Sequence, residues 1–178
     1  MPVDPRALRR CLGHFATGVT VVTCDGDGKP HGATVNAFSA VSLDPALVLV
    51  SLDRRSKISK YLEGAPFTVN VLSEPQSEVA LHFAGKPMAG APDWRRPDPQ
   101  LAPQLGGALA AISCTPWRCY DGGDHVLYLG EVAGFEVDGG DPLVFYLGGF
   151  RHLGPVYQAA PWLQSGDSPG ASWFAASL

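Results

Sequence analysis

Apolar and polar positions change their period after the first fifteen residues. Leu8, Leu12 and Phe15 recur at helical spacing behind Asp4-Pro5, a good N-cap followed by a good first helical residue, so the pattern predicts a short helix from Asp4 to Phe15. From Gly18 the signal is that of strands. Val19 to Thr23 is rich in β-branched residues, Asp25 to Gly28 reads as a turn, and His31 through Phe38 reads as the returning strand. Leu47 to Leu52, behind Asp44-Pro45, is apolar on both faces, as a buried sheet or barrel strand is. A short helix is predicted over Ser56 to Glu63, a strand over Phe67 to Leu72 and a helix over Gln76 to Phe83. A Pro-, Gly- and Arg-rich loop, with Trp94 to pin it, fills Gly85 to Pro103. Strands follow at Ala110–Cys114, Trp117–Asp121, Val126–Glu136 and Pro142–Tyr146. Short strands, tight turns and a few small helices predict a mainly β protein, a closed or nearly closed antiparallel barrel in one domain over residues 1–155. Pro161, Gly166, Pro169 and Gly170 mark an extended tail over 156–178.

Composition narrows the partners. The 178 residues suit one domain, and 46% hydrophobic with 17% charged residues is a globular balance. A net charge of −4 argues against nucleic acid, whose phosphates call for a basic surface. Cys11, Cys24, Cys114 and Cys119 form neither a zinc pattern nor a Cys-x-x-Cys pair, and no metal site is expected. Arg6, Arg9 and Arg10 interrupt the first ten residues with no apolar stretch behind them, and the run to Leu52 is far too short for a bilayer. The expectation is therefore a cytoplasmic protein with reduced thiols and no membrane partner.

Four segments carry candidate chemistry. Gly32 to Ser42 packs small and polar residues into a strand pattern: Thr34, Asn36 and Ser39 offer donors and acceptors, and the small residues allow a flat ligand near the backbone. An ordinary half-exposed strand reads the same way. Ser51 to Lys57 runs from a buried strand toward a predicted helix N-terminus, where Ser56 and Lys57, with Arg54 and Arg55, suit either a phosphate or a simple helix cap. Gly122-Gly123-Asp124-His125 is a turn that ends in a histidine. Leu143 to Leu153 places Gly148-Gly149 between aromatic residues, with Phe145, Phe150 and Arg151 open to core packing or to ligand contact. The P-loop, the Gly-x-Ser-x-Gly elbow, the His-Glu-x-x-His motif and the Rossmann fingerprint are all missing from the sequence.

With these segments in place the sequence strongly resembles the flavin reductase-like family, the reductase components of two-component flavin-dependent monooxygenases. The match begins at Phe15-Ala16-Thr17-Gly18-Val19, passes through Gly32–Ser42, Pro45–Lys57, Phe67–Leu72 and His82-Phe83-Ala84, and resumes from Gly122 to near Leu153. The resemblance implies an FMN-binding split β-barrel of antiparallel Greek-key type that forms a homodimer, with the flavin near the subunit interface. It implies that Thr34, Val35, Asn36 and Ala37 line the isoalloxazine ring with Ser39 close by, and that Ser51, Leu52, Asp53, Ser56 and Lys57 hold the ribityl chain and phosphate. Phe83 and Ala84 would complete the pocket, while His125 and the turn Gly148, Gly149, Phe150, Arg151 would face the nicotinamide. Three positions depart from the family: Phe145 and Phe150 stand where tyrosine is frequent, and Ala37 replaces a common serine.

The function so implied is hydride transfer from NADH or NADPH to FMN or FAD, with reduced flavin supplied to a partner monooxygenase. The protein's share would be stacking, orientation and a dry pocket, with His125 the one candidate catalytic side chain. A flavin-retaining split-barrel oxidoreductase acting on a small substrate, or a flavin-binding protein without activity, are the competing readings. FMN against FAD, NADH against NADPH, and the monooxygenase itself are not legible in the residues.

Overall fold

The computed structural model describes residues 3–155 of the chain, so the reading of 156–178 as a tail, with Trp162, Trp173 and Phe174, lies outside the described residues. Helix α1 (Pro5–Leu12) begins as expected, with the Asp4 carboxylate accepting from the Arg6 N–H, and it ends at Gly13 rather than Phe15. Twelve strands follow: β1 (Thr17–Gly18), β2 (Thr20–Gly26), β3 (Lys29–Val35), β4 (Phe38–Leu43), β5 (Ala46–Asp53), β6 (Phe67–Val71), β7 (Trp94–Arg95), β8 (Gln104–Leu105), β9 (Ala110–Gly122), β10 (His125–Val137), β11 (Val144–Tyr146) and β12 (Gly149–Arg151). Between them lie α2 (Ser59–Leu62) and α3 (Ser77–Phe83), the latter entered through a 3-10 turn at Glu74–Gln76.

Seven strands make one antiparallel sheet in the order β3-β2-β6-β9-β10-β5-β4. Its two edge strands, β3 and β4, are consecutive in the chain. Asn36 and Ala37 join them, and the Ala37 carbonyl accepts from the Ser51 N–H of β5 at 3.0 Å. The backbone therefore leaves β2 and crosses to β5 at one point, and the sheet is rolled into a barrel that is split at Asn36–Ala37. The continuous strand expected from His31 to Phe38 is corrected on this account, because no single straight strand can pair with both edges.

The expected helix over Ser56–Glu63 is also corrected, since only Ser59–Leu62 is helical. Asp53 pre-empts the start: its carboxylate accepts from the Arg55 N–H at 2.8 Å and its carbonyl from Ser56 at 2.9 Å, which holds the segment in turns. The two strands expected either side of Thr115-Pro116 are one strand, β9. The register against β10 shifts between Leu129 and Gly130, opposite Pro116, and a bulge tolerates the missing N–H.

Strand β2 is buried on both faces, and its residues alternate between two cores. Val22 and Cys24 point into the barrel with Val50, Leu52, Phe67 and Val69. Val21 faces outward, onto Leu72, Ala80, Leu105 and Leu143, under α3 and the β7–β8 loop. Trp94 pins that loop as expected, packing edge-on against Phe83 with ring centres 5.7 Å apart. A row of buried polar side chains fastens the loop to the sheet. Asn70 accepts from the Leu105 N–H at 2.8 Å and donates to the Val21 carbonyl at 2.9 Å, Thr68 donates to the Ala102 carbonyl at 3.1 Å, and Thr23 donates to the Pro103 carbonyl. A small sheet, β1-β11-β12, closes this side.

Candidate active site

The split in the barrel opens into a cavity of about 300 Å3. One wall is the chain from Ala33 to Ala37, where the strand ladder is interrupted, and the opposite wall is the end of β5 with Ser51, Leu52, Asp53 and Ser56. Phe83 and Ala84, at the end of α3, form the third side, and His125 stands at the mouth. The structure thus brings together Thr34, Val35, Asn36, Ala37, Ser51, Leu52, Asp53, Ser56, Phe83, Ala84 and His125 around one space.

Each wall has a local cause. Thr34 does not offer its hydroxyl to the cavity; it donates to the Ala80 carbonyl at 2.6 Å and ties α3 to β3. Gly32 is required because a Cβ there would stand 2.7 Å from the Phe83 ring, so the absence of a side chain seats Phe83 rather than a ligand. Asn36 is exposed at the strand break. Arg54 places His125: its N–H donates to the Asp124 carbonyl at 3.1 Å, its Nε to the Gly123 carbonyl at 2.7 Å, and its guanidinium pairs with Asp121. The β9–β10 turn is thereby bolted to the end of β5, where His125 lies directly opposite Asp53. The Asp124 carboxylate lies 2.6 Å from His125 Nδ1, which fixes the ring and leaves Nε2 for another partner.

The electrostatics differ from the sequence expectation. Arg55 is committed to Asp53 through two guanidinium contacts of 2.8 and 3.1 Å, and these bonds hold the Asp53 carboxyl well below the usual carboxylate range. Arg54 is committed to the β9–β10 turn. Lys57 is exposed, next in sequence to the cavity-lining Ser56, and does not itself line the cavity. The helix α2 begins only at Ser59, three residues past the cavity-lining Ser56. Ser39 lies on β4, exposed and outside the cavity wall. Burial pushes the Cys24 and Cys114 thiols up to about 12, so neither offers a nucleophile at neutral pH.

A second cavity of about 210 Å3 adjoins the first through Thr34, Asn36 and Ala84. Its far walls are Val19, Ala80, Leu81, Phe145 and Phe150, the last two edge-on with ring centres 5.9 Å apart. The β11–β12 turn that carries Phe150 has left-handed backbone at Leu147 (φ 47°) and Gly148 (φ 80°), so Gly148 serves the turn. Gly148, Gly149 and Arg151 stand outside the wall of this cavity, and Arg151 donates to the Phe150 carbonyl at 3.1 Å. Sequence reasoning missed Leu81 and Val19, whose apolar character reads as ordinary core. It also missed a groove of about 670 Å3 beyond Asn36 and Ala37, lined by Leu12, Phe15, Phe38 and Val71.

Over residues 12–154 the chain matches the model of the flavin reductase like domain. The chain belongs to the flavin reductase-like family. It is 44% identical over 169 residues to an NADH-dependent flavin reductase of a Rhodococcus species, covering 90% of this chain and 93% of the relative. It is 36% identical to the reductase component of a 4-nitrophenol 4-monooxygenase/4-nitrocatechol 2-monooxygenase of Rhodococcus opacus, covering 90% and 87%. Among solved structures, the Streptomyces globisporus NADH:FAD oxidoreductase SgcE6 in complex with NAD and FAD fragments superposes with a TM-score of 0.78 at 36% identity, covering 89% of this chain and 99% of that one. The family's split barrel is the fold described above, and the resemblance read from the sequence stands. None of the described helices is long and apolar enough to cross a membrane.

Proposed function

We propose that this protein is an NAD(P)H:flavin oxidoreductase that reduces FMN or FAD for a partner monooxygenase. The observation that carries the reading is the cavity at the barrel split, where an interrupted strand ladder, hydroxyls and apolar walls converge in a family of flavin reductases. The donor set fits a flavin. Asn36 and Ala37 lie outside both ladders and present polar backbone to one edge of a flat ring, Val35, Leu52 and Phe83 supply apolar contact, and Ser51 and Ser56 suit a polyhydroxyl chain.

A bound flavin supplies the hydride-accepting chemistry, so the protein needs no acid, base or nucleophile of its own. Its residues bind and orient. Asn36 and Ala37 fix the ring's polar edge, Phe83 and Ala84 cover it, and Asp53, Ser56 and Lys57 take the ribityl–phosphate arm. Phe145 and Phe150 line the adjoining cavity for the nicotinamide, stacking without the hydroxyls of tyrosines, and His125 Nε2 orients the reactants from the mouth. Gly148, Gly149 and Arg151 support this from the turn behind Phe150. The relatives named as monooxygenase reductase components support the partner, and the four free cysteines suit a cytoplasmic setting. Steady-state NADH and NADPH oxidation with and without added FMN or FAD tests the reading. Turnover that rises with free flavin is expected, and flavin binding without any NAD(P)H oxidation would sink it.

The phosphate assignment is checked separately. Lys57→Ala is expected to weaken FMN by about 3- to 10-fold, an exposed charge contact being worth about 1 kcal/mol, while riboflavin affinity stays unchanged. Equal weakening of both ligands would remove Lys57 from the phosphate site.

A homodimer belongs to the same reading. Leu12 and Phe15 are 64% and 79% exposed beside the 670 Å3 groove, and a contiguous apolar surface of this kind calls for a cover. A second copy seated there would also wall the flavin cavity, because Asn36 and Ala37 line both spaces. Light scattering is expected to give twice the chain mass, and Phe15→Asp to shift the protein toward monomer. A monomeric unaltered protein would contradict the dimer.

A further inference from the structure

Past the end of β5 the chain turns so that its polar groups close on one another. The Ser56 N–H donates to the Asp53 carbonyl at 2.9 Å, and the Ser59 N–H donates to the Ser56 carbonyl at 3.2 Å. Ser59 is half-buried at the first position of α2 and stands outside the cavity lining. Its hydroxyl lies 2.8 Å from the Asp53 carbonyl and 2.7 Å from the Ser56 hydroxyl. A hydroxyl has one proton to give, and a carbonyl can only accept. The Ser59 proton therefore goes to Asp53, and the contact between the two serines is closed by the proton of Ser56. Ser56 is left to face the cavity with lone pairs alone. The Asp53 carboxylate on the same wall, held by Arg55, is likewise an acceptor only.

We propose that Ser59 is a positioning residue for the flavin: by taking up the Ser56 proton it makes Ser56 an acceptor, so that Asp53 and Ser56 read the donor hydroxyls of the ribityl chain and leave the phosphate to Lys57. The inference rests on the flavin reading above and deepens it. An ionised phosphate has oxygens to accept with and no proton to give, so it finds no partner in these two side chains. A polyhydroxyl chain carries a donor on each hydroxyl and pairs with both. Handing its proton to Ser59 also polarises the Ser56 oxygen and strengthens the bond it accepts. Of the three basic residues on this turn, Arg54 and Arg55 are paired with carboxylates, and among the described residues Lys57 joins no ion pair.

Equilibrium titration of the full chain with lumiflavin, riboflavin and FMN separates the ring, the ribityl chain and the phosphate. Ser59→Ala is expected to weaken riboflavin and FMN alike, each about 3- to 10-fold, and to leave lumiflavin, which has no ribityl chain, within about 2-fold. Retained lumiflavin affinity certifies the fold. Ser59→Thr keeps the hydroxyl and is expected to hold both affinities within about 2-fold of the unaltered protein. In a Ser56→Ala background, Ser59→Ala is expected to add no further loss, because the proton it takes up is already gone. Unmoved riboflavin affinity in Ser59→Ala overturns the proposal. A loss that extends to lumiflavin, that threonine does not repair, or that recurs in full on Ser56→Ala makes Ser59 structural only and overturns it too. So does a Ser56→Ala variant that loses FMN and keeps riboflavin, which would give Ser56 to the phosphate. An unaltered protein that binds none of the three flavins removes the flavin reading itself, an outcome distinct from each of these.

Discussion

Gly32→Ala is expected to weaken flavin binding by more than 10-fold and to destabilise the fold by about 1–3 kcal/mol, the usual cost of overpacking. The new Cβ would stand 2.7 Å from two carbons of the Phe83 ring, closer than such contacts allow, and a tight 3.2 Å from a methyl of Val21. Phe83 has no room to retreat, because Trp94 lies edge-on behind it and Ala80, one turn back, is held to β3 by Thr34. The ring must therefore enter the cavity it walls, or α3 must lift away from β3. Flavin fluorescence titration and thermal melting read the two effects. A variant with lowered stability and unaltered flavin affinity would show that Phe83 does not bound the flavin site.

The second large effect lies away from the site. Asn70→Leu is expected to cost about 3 kcal/mol, the scale of burying unsatisfied polar groups and losing a network. In a chain of this length that lowers the melting temperature by about 6–12 °C. The Asn70 side chain is fully buried, accepts from the Leu105 N–H and donates to the Val21 carbonyl and the Thr23 hydroxyl. Leucine fills the space but leaves the Leu105 N–H without its acceptor. That bond fastens the loop carrying Trp94, so Phe83 loses support as well, and flavin affinity is expected to fall with stability. A melting temperature within a degree of the unaltered protein would show that the loop is held by its apolar contacts alone.

The sequence made the barrel legible because its evidence is local. Asp4-Pro5 starts a helix, Asp27-Gly28 turns a hairpin with left-handed backbone at both residues, and the alternation in β2 separates two cores. The strand break at Asn36–Ala37 was hidden, because it is imposed by which neighbours the chain must pair with on either side. The short α2 was hidden for another reason: Ser56 reads as a good helix start, whereas Asp53 holds the backbone there in turns. Most of the candidate flavin residues gathered around one cavity because β3, the end of β5 and the end of α3 meet there. Lys57 and Ser39 stand outside its wall. The basic cluster misled in a specific way, since neither Arg54 nor Arg55 is free, each being paired with a carboxylate. Gly32 likewise seats an aromatic ring rather than a ligand.

Anaerobic mixing of the protein with free FMN or FAD and NADH is the measurement closest to the central claim. The account predicts that the flavin's visible absorbance bleaches as NADH is consumed, one flavin reduced per NADH oxidised, at a rate far above that of the mixture without protein. Bleaching no faster than in the protein-free mixture would contradict it.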